Sequence, residues 1–139
     1  MKQRTLVNIK PDAVAKNMIG EIISRIEATG YRIVAIQKIK LNDEQAAAFY
    51  AVHQGREFYE PLIEFMTSGP CVPMVVEGDD VVSGIRELIG NTDPAKAAEG
   101  TIRRQFGETV RRNAVHASDS ETNAKDEIAF FFSREQLVD

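Results

Sequence analysis

One cysteine and two histidines in 139 residues leave little room for several kinds of chemistry. A lone Cys71 cannot build an internal disulfide framework or a cysteine-rich metal site. It stands in Pro70-Cys71-Val72-Pro73 and reads as a small buried strand residue, not a nucleophile. With only His53 and His116, and no H-x-x-x-H or C-x-x-C spacing, no metal held by protein ligands is expected. The G-x-x-x-x-G-K-[ST] phosphate loop and the G-x-G-x-x-G pattern are both missing, which excludes P-loop and Rossmann readings. The catalytic-loop and D-F-G signatures of protein kinases are missing as well. Met1 runs directly into Arg4-Thr5-Leu6-Val7 with no signal-peptide core, and no apolar run is long enough to span a bilayer. The expected setting is the cytoplasm, with no membrane partner. Basic residues are the minority, 17 Lys and Arg against 21 Asp and Glu, for a net charge of -4. That balance argues against binding to nucleic-acid backbones.

What is present suits one compact domain over residues 1–139, 43% hydrophobic and 27% charged. There are no repeats, low-complexity tracts or linkers. Residues 5–10 read as a first strand stopped by Pro11-Asp12. Ile19, Ile22, Ile23 and Ile26 form a helical stripe ended by Gly30. Tyr31 to Leu41 reads as a long second strand. Asn42, with Gln45 three residues on, offers a capping box for a helix through Phe49, Tyr50 and Val52. A shorter helix takes in Leu62, Phe65 and Met66. Val72 to Val76 is a third strand, and Val81, Ile85, Leu88 and Ile89 mark a long helix ended by Gly90. Residues 91–119 carry little periodicity, and so long a stretch in a compact domain signals a functional loop. Glu127 to Phe132 reads as the fourth strand. Without the insertions the order is βαββαβ, an α+β ferredoxin-like arrangement. It implies an antiparallel four-stranded sheet with two long helices on one face, plus helical insertions and a long active-site loop.

The most informative segment is Asn113-Ala114-Val115-His116-Ala117-Ser118-Asp119-Ser120. Asn, Ser and Asp form turns and caps, so His116 is expected on an irregular segment with its ring accessible. Glu127 could fix one ring nitrogen and leave the other free to attack. The plain alternative is a loop histidine whose hydrogen bonds are already satisfied. Arg103, Arg104, Arg111 and Arg112 crowd the approach to His116. They form either a basic patch suited to a small polyanion or four solvated surface side chains. Lys10 at the end of the first strand and Arg86 in the second long helix add further cations.

These features recur in order along the chain: T-L-x-x-I-K-P-D-A-V from Thr5, F-Y-x-x-H from Phe49, R-x-F-Y from Arg56 and F-M-T-S-G-P from Phe65. V-x-E-G, G-x-T-D-P and G-T-I-R follow, and N-x-V-H-A-S-D-S closes the series. Together they resemble the nucleoside diphosphate kinases, over essentially the whole chain. The resemblance implies that His116 is phosphorylated through Nδ1, that Glu127 bonds the opposite nitrogen, and that Ser118 orients Glu127. It places Lys10 and Tyr50 near the transferred phosphoryl, with Lys10 also reaching the sugar and Asn113 bonding the ribose. Arg86, Thr92 and Arg103 would hold the phosphates, with Arg56 at the basic mouth. Phe58 would stack on the base, with Leu62 and Val110 lining the slot. From the residues alone, Phe58, Leu62 and Val110 have the plainer alternative of ordinary core or groove positions, and Tyr50 that of a core tyrosine with its hydroxyl at the surface. The chain departs from the family pattern at Ala117, where glycine is common, at Glu57, where proline is usual, and at Asp93, where many members have asparagine.

The implied activity is transfer of the terminal phosphate of a nucleoside triphosphate to a nucleoside diphosphate. It would run by a ping-pong mechanism through a phosphohistidine, with low base selectivity. Mg2+ would arrive on the nucleotide phosphates, and a homo-oligomer, tetramer or hexamer, is implied. Two rivals stand beside it. An RNA-binding module is opposed by the acidic charge and by strands lacking paired aromatics. A non-catalytic scaffold would form no phosphoenzyme.

Overall fold

The computed structural model describes residues 2–138, so Met1 and Asp139, the end residues of the expected 1–139 domain, lie outside the described residues. The strands are β1 (Lys2–Ile9), β2 (Arg32–Ile36), β3 (Val72–Asp79) and β4 (Val115–Ala117). They form one sheet in the order β2-β3-β1-β4, and every pairing is antiparallel. The helices are α1 (Pro11–Ala15), α2 (Ile19–Ala28), α3 (Asp43–Phe49), α4 (Tyr59–Met66), α5 (Val81–Ile89), α6 (Ile102–Phe106) and α7 (Glu121–Phe131). This is the ferredoxin-like arrangement expected from the sequence.

Strand alternation sorts the core into two layers. Val7 and Ile9 of β1, Met74 and Val76 of β3, and Val115 and Ala117 of β4 pack with Ile22 and Ile26 of α2 and Ile85 and Ile89 of α5. Leu6 and Val75 face the other way, onto Ala46 of α3, Phe65 and Met66 of α4, and Ile128 and Phe131 of α7. The two long helices therefore cover one face, and the insertion helices with α7 cover the second. His116, between Val115 and Ala117, necessarily turns to this second face and lies opposite Asn8 in the register. Asn8 is buried there.

Two expectations are corrected. Glu127 to Phe132 is not the fourth strand. Ser120 accepts the Asn123 N–H and caps a helix that runs to Phe131. Ala124, Ile128 and Phe131 then fall at helical spacing on the buried side. The fourth strand lies earlier and carries His116, which therefore stands on a strand and not on an irregular loop. The second strand is also shorter than Tyr31 to Leu41. Its register breaks between Ile33 and Ala35, and beyond Ile36 only an isolated bridge joins Ile39 to Cys71. Other local signals hold: Asn42 and Gln45 form the capping box of α3, and Cys71 is fully buried. Gly90 ends α5 at φ 89°, where a Cβ would stand 2.6 Å from Thr101 Oγ1. Ala117 does not have positive φ; the positive-φ alanine is Ala114, at 75°.

Candidate active site

β4 is three residues long, and its position is fixed by side chains from around it. Arg103 donates through Nη1 to the Gly90 carbonyl at 3.0 Å and through Nη2 to the Val115 carbonyl at 2.8 Å. Arg86 donates to the Ala117 carbonyl at 3.1 Å. His116 is thus flanked by two guanidinium groups bound to its own strand. From the second face, α7 delivers Glu127, whose Oε1 lies 2.7 Å from His116 Nε2 and accepts the Ser118 hydroxyl at 2.8 Å. Phe49 meets the imidazole edge-on, its centroid 5.7 Å away. With Nε2 held by a carboxylate, the neutral ring carries its proton on Nε2 and leaves the Nδ1 lone pair available.

His116 opens into a cavity of about 630 Å³. Lys10, Tyr50, Phe58, Leu62, Arg86, Thr92, Arg103, Val110, Asn113 and Glu127 all line it, so nearly every expected site residue is brought together. Ser118 lies behind the lining, wholly buried, where it reaches Glu127. Arg56 is exposed and does not join the lining. Of the four arginines expected to crowd His116, Arg103 and Arg111 line the cavity. Arg104 instead donates to the Ala95 carbonyl, and Arg112 lies over the Phe65 ring. Val52, His53, Ala117, Asp119 and Asn123 complete the wall. The sequence reading missed these, although His53 stands inside the quoted F-Y-x-x-H motif.

Polar capacity in the cavity is already partly used. Lys10 Nζ donates to the Arg111 carbonyl at 2.9 Å and to Asn113 Oδ1 at 3.0 Å, leaving one N–H. It is folded inward and buried, not projecting from the sheet edge. Burial, aided by the charges of Arg103 and Arg111 and opposed by Asp12, lowers its pKa to about 8. The Asn113 amide donates to the carbonyls of Thr92 and Val110, both at 3.0 Å. Both N–H groups are then spent, and only an Oδ1 lone pair remains. Burial and the Arg86 charge lower the Arg103 pKa to about 10. Burial pushes the Tyr50 phenol up, so it is a neutral hydroxyl. Phe58 and Val110, 42% and 57% exposed, form an apolar lip at the mouth. Among the described residues no group of three His, Cys, Asp or Glu is gathered to hold a metal, and no helix is long and apolar enough to cross a membrane.

Residues 3–137 match the family model described as nucleoside diphosphate kinase. Among curated relatives, the nucleoside diphosphate kinase of Campylobacter hominis is 56% identical over 135 residues, covering 97% of this chain and 98% of the relative. That of Psychromonas ingrahamii is 55% identical, covering 97% and 94%. Among solved structures, the Aquifex aeolicus nucleoside diphosphate kinase superposes with a TM-score of 0.97 at 43% identity, covering 99% of this chain and all of that one. The halophilic enzyme of Halobacterium salinarum, in complex with CDP, superposes with a TM-score of 0.96 at 40% identity, covering 100% and 93%.

Proposed function

The chain belongs to the nucleoside diphosphate kinase family and is a phosphotransferase acting between nucleotides, and from that premise we propose a ping-pong reaction in which His116 carries the phosphoryl group. The Nδ1 lone pair attacks the terminal phosphorus of a nucleoside triphosphate. The bond from that phosphorus to the bridging oxygen breaks, and the diphosphate leaves with the electron pair. A second diphosphate then attacks the phosphohistidine with a terminal oxygen, and the electrons return to Nδ1. The observation carrying this reading is the 2.7 Å contact between His116 Nε2 and Glu127, which occupies that nitrogen and leaves Nδ1 free on a residue that lines a cavity rich in cations. Glu127 also stabilises the positive ring created by phosphorylation, and the Ser118 hydroxyl holds Glu127 in place.

Arg86, Arg103 and Thr92 are assigned to the phosphates, where charge spreads over the equatorial oxygens. Lys10 has one N–H left for the phosphoryl or sugar, and Asn113 Oδ1 can accept from a ribose hydroxyl. Tyr50 contributes its neutral hydroxyl. Mg2+ enters as part of the substrate, coordinated by nucleotide phosphates and water. Phe58, with Leu62 and Val110, offers a stacking slot. Stacking uses a face that every base has, so base selectivity should be low. The same reading makes residues 1–139 a single domain, cytoplasmic and assembled as a homo-tetramer or homo-hexamer.

Incubation with γ-labelled ATP and analysis under alkaline conditions that preserve phosphohistidine tests the mechanism. Label should appear on the wild-type protein and be lost in His116→Ala. Label that persists in the variant rules His116 out as the carrier.

A further inference from the structure

Asp12 has no part in the reaction as described, yet it is only 4% exposed. Its Oδ2 accepts the backbone N–H of Ala114 at 3.0 Å. Ala114 is wholly buried and sits at φ 75°, a region that a residue with a Cβ avoids. The Val115 N–H donates to the Asn113 carbonyl at 2.9 Å, closing a γ-turn centred on Ala114. With positive φ at its centre, this is the rarer and strained form of that turn. The Ala114 carbonyl in turn accepts the Lys10 N–H at 2.8 Å. The segment Lys10-Pro11-Asp12 therefore grips both polar groups of the strained residue. His116 follows two positions later, on a strand too short to set its own height.

We propose that Asp12 is a positioning residue for phosphoryl transfer: by holding the Ala114 N–H it locks the γ-turn and so sets the height and tilt of His116. The inference rests on the phosphohistidine reading above. A strained conformation persists only where its surroundings over-determine it, and the Asp12 carboxylate is one of the two groups doing so. In-line attack is sensitive to such placement, since a shift of about 1 Å can cost on the order of a hundredfold in rate. Asp12 also raises the Lys10 pKa through its charge, so the experiment must separate the hydrogen bond from the charge.

Asp12→Asn keeps a carbonyl acceptor and removes the charge, whereas Asp12→Ala removes both. In the full chain, the single-turnover rate of phosphoenzyme formation from γ-labelled ATP is measured beside nucleotide affinity and the thermal midpoint. Asp12→Ala should slow phosphorylation roughly ten- to a hundredfold, with affinity changed less than about threefold and Asp12→Asn close to the wild-type rate. Asp12→Asn as slow as Asp12→Ala would mean that charge on Lys10 is the agent, and overturns the proposal. So does an Asp12→Ala rate equal to wild type. Should Asp12→Ala fail to fold, Asp12→Ala with Ala114→Gly carries the test, because glycine takes φ 75° freely. It should phosphorylate more slowly than Ala114→Gly alone, and an equal rate overturns the role. Absence of any phosphoenzyme in the wild type would instead defeat the proposed function itself.

Discussion

Two arginines that look alike in the sequence carry different burdens. Arg86 is half-buried and holds a single carbonyl, so Arg86→Ala should act mainly on catalysis, with a smaller stability loss than Arg103→Ala. The expected loss is roughly 2–4 kcal/mol of transition-state stabilisation, the scale of one electrostatic donor. Arg103 is buried and joins the end of α5 to β4 through two carbonyls. Arg103→Ala should give a similar kinetic loss and also destabilise the fold, since an orphaned buried acceptor costs about 1–3 kcal/mol. Measuring kcat/KM and urea midpoints for both variants separates the two; equal midpoints would contradict the structural share given to Arg103. Lys10 adds a pH dependence. Its folded pKa, about 8, lies below the ordinary lysine value of 10.5. Its charge is present below about pH 8 and lost as pH rises through it, so kcat/KM should fall on that limb. The sign for stability is opposite, because the cost of burying the charge is released as pH rises from about 8 towards 10.5. A wild-type profile with that alkaline limb, absent in Lys10→Gln, is the expected result.

α7 decides whether Glu127 meets His116, and its start is set by Ser120, which accepts the Asn123 N–H at 3.1 Å. Ser120→Ala should cost about 1 kcal/mol in denaturant titrations. Glu127 lies nearly two turns further on, so phosphoenzyme formation should change less than about threefold, or roughly 0.65 kcal/mol. A larger kinetic loss would show that the cap also steers Glu127. This element also marks where sequence reading stopped. Three adjacent phenylalanines after Ile128 imitate a strand, and the helical spacing of Ala124, Ile128 and Phe131 is visible only once Ser120 is accepted as a cap. β4 could not be found by periodicity, since three residues contain barely one alternation. His116 and Glu127 were nonetheless legible as partners through their residue chemistry, which did not depend on the elements carrying them. Asp12 was not, because its partner is a backbone N–H more than a hundred residues away, and backbone groups leave no mark in the letters.

At the scale of the whole molecule, the two-layer core explains why the site is where it is. Both faces of the sheet are covered, and His116 on β4 opens to a cavity where the second layer leaves a gap beside α4 and α7. The motifs in Thr5–Val14, Phe49–Tyr59 and Asn113–Ser120 lie far apart in the chain, but antiparallel pairing of β1 with β4 and packing of α3 and α7 on the same face bring them to that gap. The gap also has a kinetic consequence. Lys10, Arg86, Arg103 and Arg111 concentrate positive charge in one concavity of a chain whose net charge is -4. An approaching polyanion is repelled by most of the surface and attracted by one opening, and low-dielectric walls focus that attraction. Encounter should then be orientationally guided, with a capture rate set by ionic strength. Raising salt from about 0.01 to 0.15 M shortens the screening length from about 30 to about 8 Å. Over that range kcat/KM should fall several-fold while kcat stays nearly constant, because chemistry on the bound nucleotide depends on short-range contacts and not on the outer field. Stopped-flow binding of a nucleoside triphosphate across the same series should place the loss in the association rate, leaving dissociation almost unchanged.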